Sequence, residues 1–125
     1  MNRLGLIRIS HDMTENLGDL SCWKGFDLLQ LLDLMQGLEE KVDGVLLLST
    51  CNRVEILYTI ADPAKHLHFY DTLIEKLPPT HGITPAHLTG RPVVTHLLRL
   101  ASGLESMVLG ETEIRHQLKE AVRQA

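Results

Sequence analysis

The stretch Ser49-Thr50-Cys51-Asn52-Arg53-Val54-Glu55 places a thiol, a guanidinium and a carboxylate within a few residues of one another. A thiol is a nucleophile only as its thiolate, and a cation two residues away favours that charged form. Taken alone the signal is modest, because a cysteine following an apolar run is more often a small core residue. Arg53 has a bland alternative as well, an ion pair with Glu55 worth about 0–1 kcal/mol if exposed. The other cysteine, Cys22, is 29 residues away and no C-x-x-C pair occurs, so neither a disulfide framework nor a four-ligand zinc site can be written. The seven histidines are scattered, and His66 and His68, two apart on a helical stretch, fall on different faces. No metal site is expected. A redox pair of Cys22 with Cys51 is a rival reading, and it predicts a disulfide on mild oxidation.

Several elements must position this polar knot. Leu4 to Ile9, short and β-branched with Arg8 interposed, suits a first strand. From Gly25 to Val42 the apolar residues Phe26, Leu29, Leu32, Met35 and Leu38 recur near helical spacing, with Asp27 and Asp33 off that stripe and a turn signal at Asp43-Gly44. Val45 to Leu48 is a continuous apolar run that reads as a strand buried on both faces. After the knot, Val54, Ile56, Tyr58 and Ile60 alternate with Glu55, Leu57 and Thr59, the period of a half-buried strand. Pro63 opens a helix that Pro78-Pro79 closes, since proline cannot donate to the helical ladder. A short strand around His87 to Thr89 completes a β-α-β-β-α-β order, so the expected class is α+β, a ferredoxin-like domain followed by additional C-terminal helices. Of these helices, one starts at Pro92, is apolar around most of its circumference and ends near Gly103; another runs from about Glu111.

Composition narrows the classes. With 125 residues, 44% of them apolar, the chain is expected to form one domain spanning 1–125, with an aliphatic core because only 4% are aromatic. Arg3 and Arg8 interrupt the start where a signal peptide would be apolar, and no run reaches the ~20 residues of a membrane span, so a cytoplasmic protein is the expectation. Residues 1–90 carry 7 basic and 12 acidic groups, and residues 91–125 carry 5 and 4, which is no basic stripe of the kind that tracks a phosphate backbone. Any RNA contact should be local, with Arg91, Arg99, Arg115, Lys119 and Arg123 as candidates; for the last three a solvated helix face is the plainer reading.

A second segment, Thr95 to Glu111, reads T-H-L-L-R-L-A-S-G-L-E-S-M-V-L-G-E. Together the two segments resemble the glutamyl-tRNA reductase family, whose signatures read S-T-C-N-R-x-E and H-L-x-x-x-A-S-G-L-[DE]-S-M-V-x-G-E-x-[QE]-I. The resemblance covers 49–55 and 95–121 and implies that Cys51 is the nucleophile that takes glutamate from glutamyl-tRNA(Glu) as a thioester. The resemblance further implies that NADPH reduces the thioester to glutamate 1-semialdehyde, the entry to 5-aminolevulinate and tetrapyrroles. It assigns Thr50, Asn52 and Arg53 to substrate binding, where a guanidinium fork suits the glutamyl carboxylate. Ser106, Glu111, Thr112, Glu113 and Gln117 match further substrate-contact positions. His96 matches a histidine important for activity, as a proton carrier or an electrostatic partner of the thiolate. Its bland alternative is a histidine that ties two helices together.

The same resemblance places the NADPH site and the dimerisation region outside this chain, and implies a homodimer through the latter and handover of product to glutamate-1-semialdehyde aminomutase. No G-x-G-x-x-G turn occurs, and the amphipathic pattern still running at Ala125 predicts that more protein follows. Three positions depart from the family: Asp12 follows Ser10-His11 where a cation is usual, Glu113 stands where glutamine is common, and His116 where glycine or arginine is usual. A catalytically inactive binding or regulatory module of the same fold is the alternative, at the cost of leaving Thr50, Cys51, Arg53, His96 and Ser106 together by coincidence.

Overall fold

A computed structural model of the chain describes residues 2–10, 27–49, 53–78 and 83–102. In chain order these form β1 (Leu4–Ser10), α1 (Leu28–Gln36), β2 (Val42–Ser49), β3 (Arg53–Ile60), a 3-10 turn (Pro63–Lys65), α2 (His66–Lys76), β4 (Ala86–Thr89) and α3 (Arg91–Ser102). The four strands make one sheet in the order β2-β3-β1-β4, with every neighbouring pair antiparallel. This is the α+β, ferredoxin-like arrangement expected from the element order, with α3 as an additional helix. The helix expected from Glu111 lies outside the described residues.

Local chemistry sets the helix ends. Asp27 accepts a hydrogen bond from the Gln30 amide at 2.8 Å, and the Gln30 side chain accepts one from the Asp27 amide at 2.9 Å, a reciprocal capping box that starts α1. The helix ends at Gly37, earlier than the Asp43-Gly44 signal suggests. That signal marks an irregularity of register inside β2 instead. Asp62 accepts from the Ala64 amide at 3.0 Å to start the 3-10 turn. Gly90, at φ +71, reverses the chain between β4 and α3 in a backbone conformation that side-chain-bearing residues avoid.

Helices α1 and α2 cover one face of the sheet. There Ile7, Ile9, Val54, Ile56, Tyr58 and Ile60 pack with Leu31, Met35, Leu38, Phe69, Leu73 and Leu77. Helix α3 covers the other, where Leu4, Leu6, Leu48 and Leu57 meet Val93, Leu97 and Leu100. Each fully buried aliphatic side chain stabilises the fold by about 1.5–3 kcal/mol.

Three burial expectations are corrected. β3, read as half-buried, is enclosed on both faces, whereas β2, read as doubly buried, is an edge strand with Leu48 as its one buried residue. The buried residues of α1 are Leu31 and Met35, continued by Leu38 beyond its end; Leu29 and Leu32, placed on the stripe by spacing, are 76% and 37% exposed. Leucines at 28, 29, 31, 32 and 34 surround most of this helix, so packing against the sheet, not periodicity, chose the face.

Candidate active site

The face beneath α3 changes character along its strands. On β1 it runs from Leu4 and Leu6 to Arg8 and Ser10, and on β3 from Leu57 back to Glu55 and Arg53. Register pairs Arg8 directly with Glu55 and Ser10 with Arg53, so the apolar end gives way to a charged one where β3 begins. The period of two places Arg53 and Glu55 on one side of their strand. Arg53 is 3% exposed and Glu55 is fully buried.

Glu55 is the hub. Its Oε1 lies 2.5 Å from Nε2 of His96, which α3 brings down onto the sheet, and 3.5 Å from Nε of Arg8. Its Oε2 lies 3.7 Å from Nη1 of Arg53, a charge contact longer than a hydrogen bond. Arg8 also donates from Nη2 to Ser10 Oγ at 2.7 Å. Two guanidinium groups and an imidazole thus converge on one buried carboxylate, drawn from three separate elements. An ionised carboxylate only accepts, so His96 Nε2 carries the hydrogen between them. In the neutral ring, Nδ1 is then the nitrogen able to take a proton.

This charged end adjoins, in sequence, residues 50–52, with Cys51 among them. The family model described as "Glutamyl-tRNAGlu reductase, N-terminal domain" matches residues 19–125. The chain belongs to the glutamyl-tRNA reductase N-terminal domain family. The glutamyl-tRNA reductase of Syntrophobacter fumaroxidans is 39% identical over 120 residues, which cover 91% of this chain and 25% of that protein. That of Methanoculleus marisnigri is 36% identical over 122 residues, covering 98% and 26%. The fold aligns over the whole chain with the solved structure of the glutamyl-tRNA reductase from Methanopyrus kandleri at a TM-score of 0.67 and 29% identity, covering 28% of that chain. This chain therefore spans about a quarter of the length of these two relatives.

Within the family signature, the described residues include Arg53 and His96, and the structure joins them through Glu55. Thr50, Cys51, Asn52, Ser106, Glu111, Thr112, Glu113 and Gln117 lie outside the described residues, as do Cys22, Asp12 and His116. Among the described residues, His96 ties α3 to β3 through Glu55. The Arg53 to Glu55 pair is buried, not the surface pair that spacing alone allows. Glu55, Arg8 and Ser10 were missed as site residues. A signal existed: Leu57 on the nominally polar side of β3 implied that this side is covered too, leaving Glu55 buried beside it.

A second polar cluster sits under α2. Tyr58 Oη lies 2.9 Å from His66 Nδ1 and 2.8 Å from His87 Nε2, and His66 Nε2 lies 2.7 Å from the Asn2 carbonyl. The carbonyl can only accept, so His66 donates from Nε2, Nδ1 accepts from the Tyr58 hydroxyl, and the phenol oxygen accepts from His87 Nε2. Burial pushes the Tyr58 hydroxyl pKa up. Burial first, and the nearby His66 second, hold His87 down at about 4, with Asp71 opposing. Tyr70, stacked on His87 with ring centres 4.6 Å apart, has its pKa raised by burial and by Asp71.

For metals, the ligand atoms of Glu39, Glu40 and His68 lie within 4.8 Å of one another, but Glu39 and His68 are exposed and Lys65 Nζ already faces Glu40 at 3.9 Å. A surface ion-pair group accounts for them. No described helix is long and apolar enough to cross a membrane.

Proposed function

We infer that this chain carries the acyl-transfer half of a glutamyl-tRNA reductase. In this reading the Cys51 thiolate attacks the ester carbonyl that joins glutamate to the tRNA 3′ end. The S–C bond forms, the ester C–O bond breaks, and the ribose oxygen leaves with a proton, giving a glutamyl thioester on Cys51. His96 serves as proton carrier through Nδ1, and Arg53 takes the glutamyl carboxylate with its fork of N–H donors. Thr50, Asn52, Ser106, Glu111, Thr112, Glu113 and Gln117 complete the substrate contacts. The observation that carries the reading is the buried convergence of Arg53, Glu55 and His96 at the end of the sheet where β3 begins, two residues after Cys51 in sequence.

Reduction by NADPH belongs to the same reading but not to these residues. Dinucleotides bind where parallel strands diverge above a glycine-rich turn. The described sheet is antiparallel throughout and lacks such a switch point, so no reductive step is placed on the described residues. Dimerisation and handover to an aminomutase are likewise assigned to the whole enzyme, with entry into 5-aminolevulinate synthesis as its role.

The test mixes the chain with glutamyl-tRNA labelled in glutamate, with and without NADPH. Label on Cys51, slow release of free glutamate, no semialdehyde and no effect of NADPH are expected. Wild-type protein that gains no more label than Cys51→Ser would overturn the reading.

A further inference from the structure

We propose that Glu55 is the positioning residue of the acyl-transfer step, the carboxylate that fixes which nitrogen of His96 exchanges protons and holds Arg53 beside it. The proposal rests on the acyl-transfer reading above and adds a residue which that reading does not use.

Burying a carboxylate completely is costly, and a well-packed apolar residue at such a place is commonly as stable or more so. The neighbouring inward position on β3 is in fact an apolar residue, Leu57. Keeping a charge at Glu55 therefore calls for a role beyond holding the sheet together. The geometry supplies one. Oε1 stands 2.5 Å from His96 Nε2, a short bond between two groups that are both nearly or wholly buried. Because the carboxylate accepts, the hydrogen sits on Nε2 in either charge state of the ring, and Nδ1 is left as the proton-exchanging atom. A carboxylate behind an imidazole does this work in hydrolases that activate a serine, where it holds the ring in one tautomer and orientation. Oε2 faces Arg53 at 3.7 Å, so the same group restrains the guanidinium. Arg8, paired across the strands with Glu55, faces the same Oε1 at 3.5 Å. All four side chains stand on strands or on α3 and none on a loop, so their spacing is fixed by the sheet.

During transfer, the Cys51 thiol proton moves to His96 Nδ1, the Sγ–C bond forms as the ester C–O bond breaks, and Nδ1 returns the proton to the leaving ribose oxygen. Glu55 gains and loses nothing; it keeps Nε2–H in place throughout.

The experiment compares the chain with Glu55→Gln, His96→Ala and the double variant. Glutamine keeps the shape but offers both a donor and an acceptor, so it no longer dictates the tautomer. Three quantities are read: the single-turnover rate of label transfer from glutamyl-tRNA, the Kd for glutamyl-tRNA, and the ring nitrogen shifts of His96 by NMR. The expected result is a fall of roughly 10²–10⁴-fold in the transfer rate of Glu55→Gln, on the scale seen when a carboxylate behind an imidazole is neutralised, with Kd changed by less than about threefold. His96 should show the Nε2–H tautomer in the wild type and a mixture in Glu55→Gln. In the His96→Ala background, Glu55→Gln should cost at least about tenfold less than in the wild type, because only its restraint of Arg53 is left to lose. Equal losses in both backgrounds would overturn the proposal, as would an unchanged rate in Glu55→Gln or the Nδ1–H tautomer in the wild type. If Glu55→Gln does not fold, the wild-type tautomer decides by itself. Wild type that takes no label would instead sink the underlying acyl-transfer reading, and the proposal with it.

Discussion

Replacing Gly5 by alanine should be among the most damaging single-methyl changes available in this fold. Gly5 lies directly opposite Tyr58 in the β1–β3 register, and the Tyr58 ring folds across it. A Cβ built on Gly5 would stand 2.1 Å from Tyr58 Cζ and 2.3 Å from its Oη, far inside any contact that real atoms tolerate. The ring has little freedom to withdraw. Its hydroxyl is held at 2.9 Å by His66 and 2.8 Å by His87, and its face packs on Phe69 with centroids 4.5 Å apart. Overpacking alone costs about 1–3 kcal/mol. Pushing the hydroxyl off its partners leaves buried polar atoms unpaired at a further cost of about 1–3 kcal/mol. A total near 3 kcal/mol corresponds to a fall in Tm of roughly 10–20 °C for a domain of this size. The assay is urea unfolding followed by circular dichroism, reading the midpoint at constant m. Gly44→Ala is the control, since its Cβ would meet only Thr59 Oγ1 at 3.4 Å; it should cost less than about 1 kcal/mol. Tyr58→Leu removes the obstacle, so Gly5→Ala made in that background should cost at least ~1 kcal/mol less than in the wild type. Strict additivity of the two changes, or a loss under about 0.5 kcal/mol for Gly5→Ala alone, refutes the reasoning.

Acid should weaken the fold through His87. The unfolded chain takes up this proton from about pH 6.5 downward and the folded chain only near 4, so the stability is whole above 6.5 and is lost as pH falls through that window. At about 1.36 kcal/mol per pH unit the full linkage would be roughly 3 kcal/mol, and because the ring is only partly buried, screening reduces it to about 1–2 kcal/mol. Wild type should lose that much more than His87→Gln between about pH 7.5 and 4.5 in urea titrations, and equal losses would count against it. Gly90→Ala, forced to φ +71, should lower stability by about 1–2 kcal/mol, with Gly90→Asn milder; a thermal melt that ranks them otherwise contradicts the strain argument. Arg53→Lys keeps the charge but not the fork, so glutamyl transfer should fall by at least about tenfold, and unchanged kinetics would remove Arg53 from the substrate pocket.

The sequence by itself determined the family and the order of the described elements, with their sites within a few residues except the end of α1, because these depend on local signals. Pro63 and Pro78 bracket a helical stretch wherever they occur, and a string such as G-L-E-S-M-V-L-G-E needs no fold to be recognised. Burial is different, since it depends on which neighbours a strand acquires. Val45 to Leu48 is more apolar than Arg53 to Ile60, yet the sheet order puts the first at an edge and the second between two partners with helices on both faces. Only that placement turned Glu55 from a surface ion-pair candidate into a fully buried hub. His96 and Glu55 are 41 residues apart, and Tyr58 and His87 are 29 apart. No periodicity links residues at such distances. What brings them within hydrogen-bond reach is the crossing of α3 over the β1–β3 pair and the docking of β4 against β1, so the chemistry of both clusters was decided by tertiary structure.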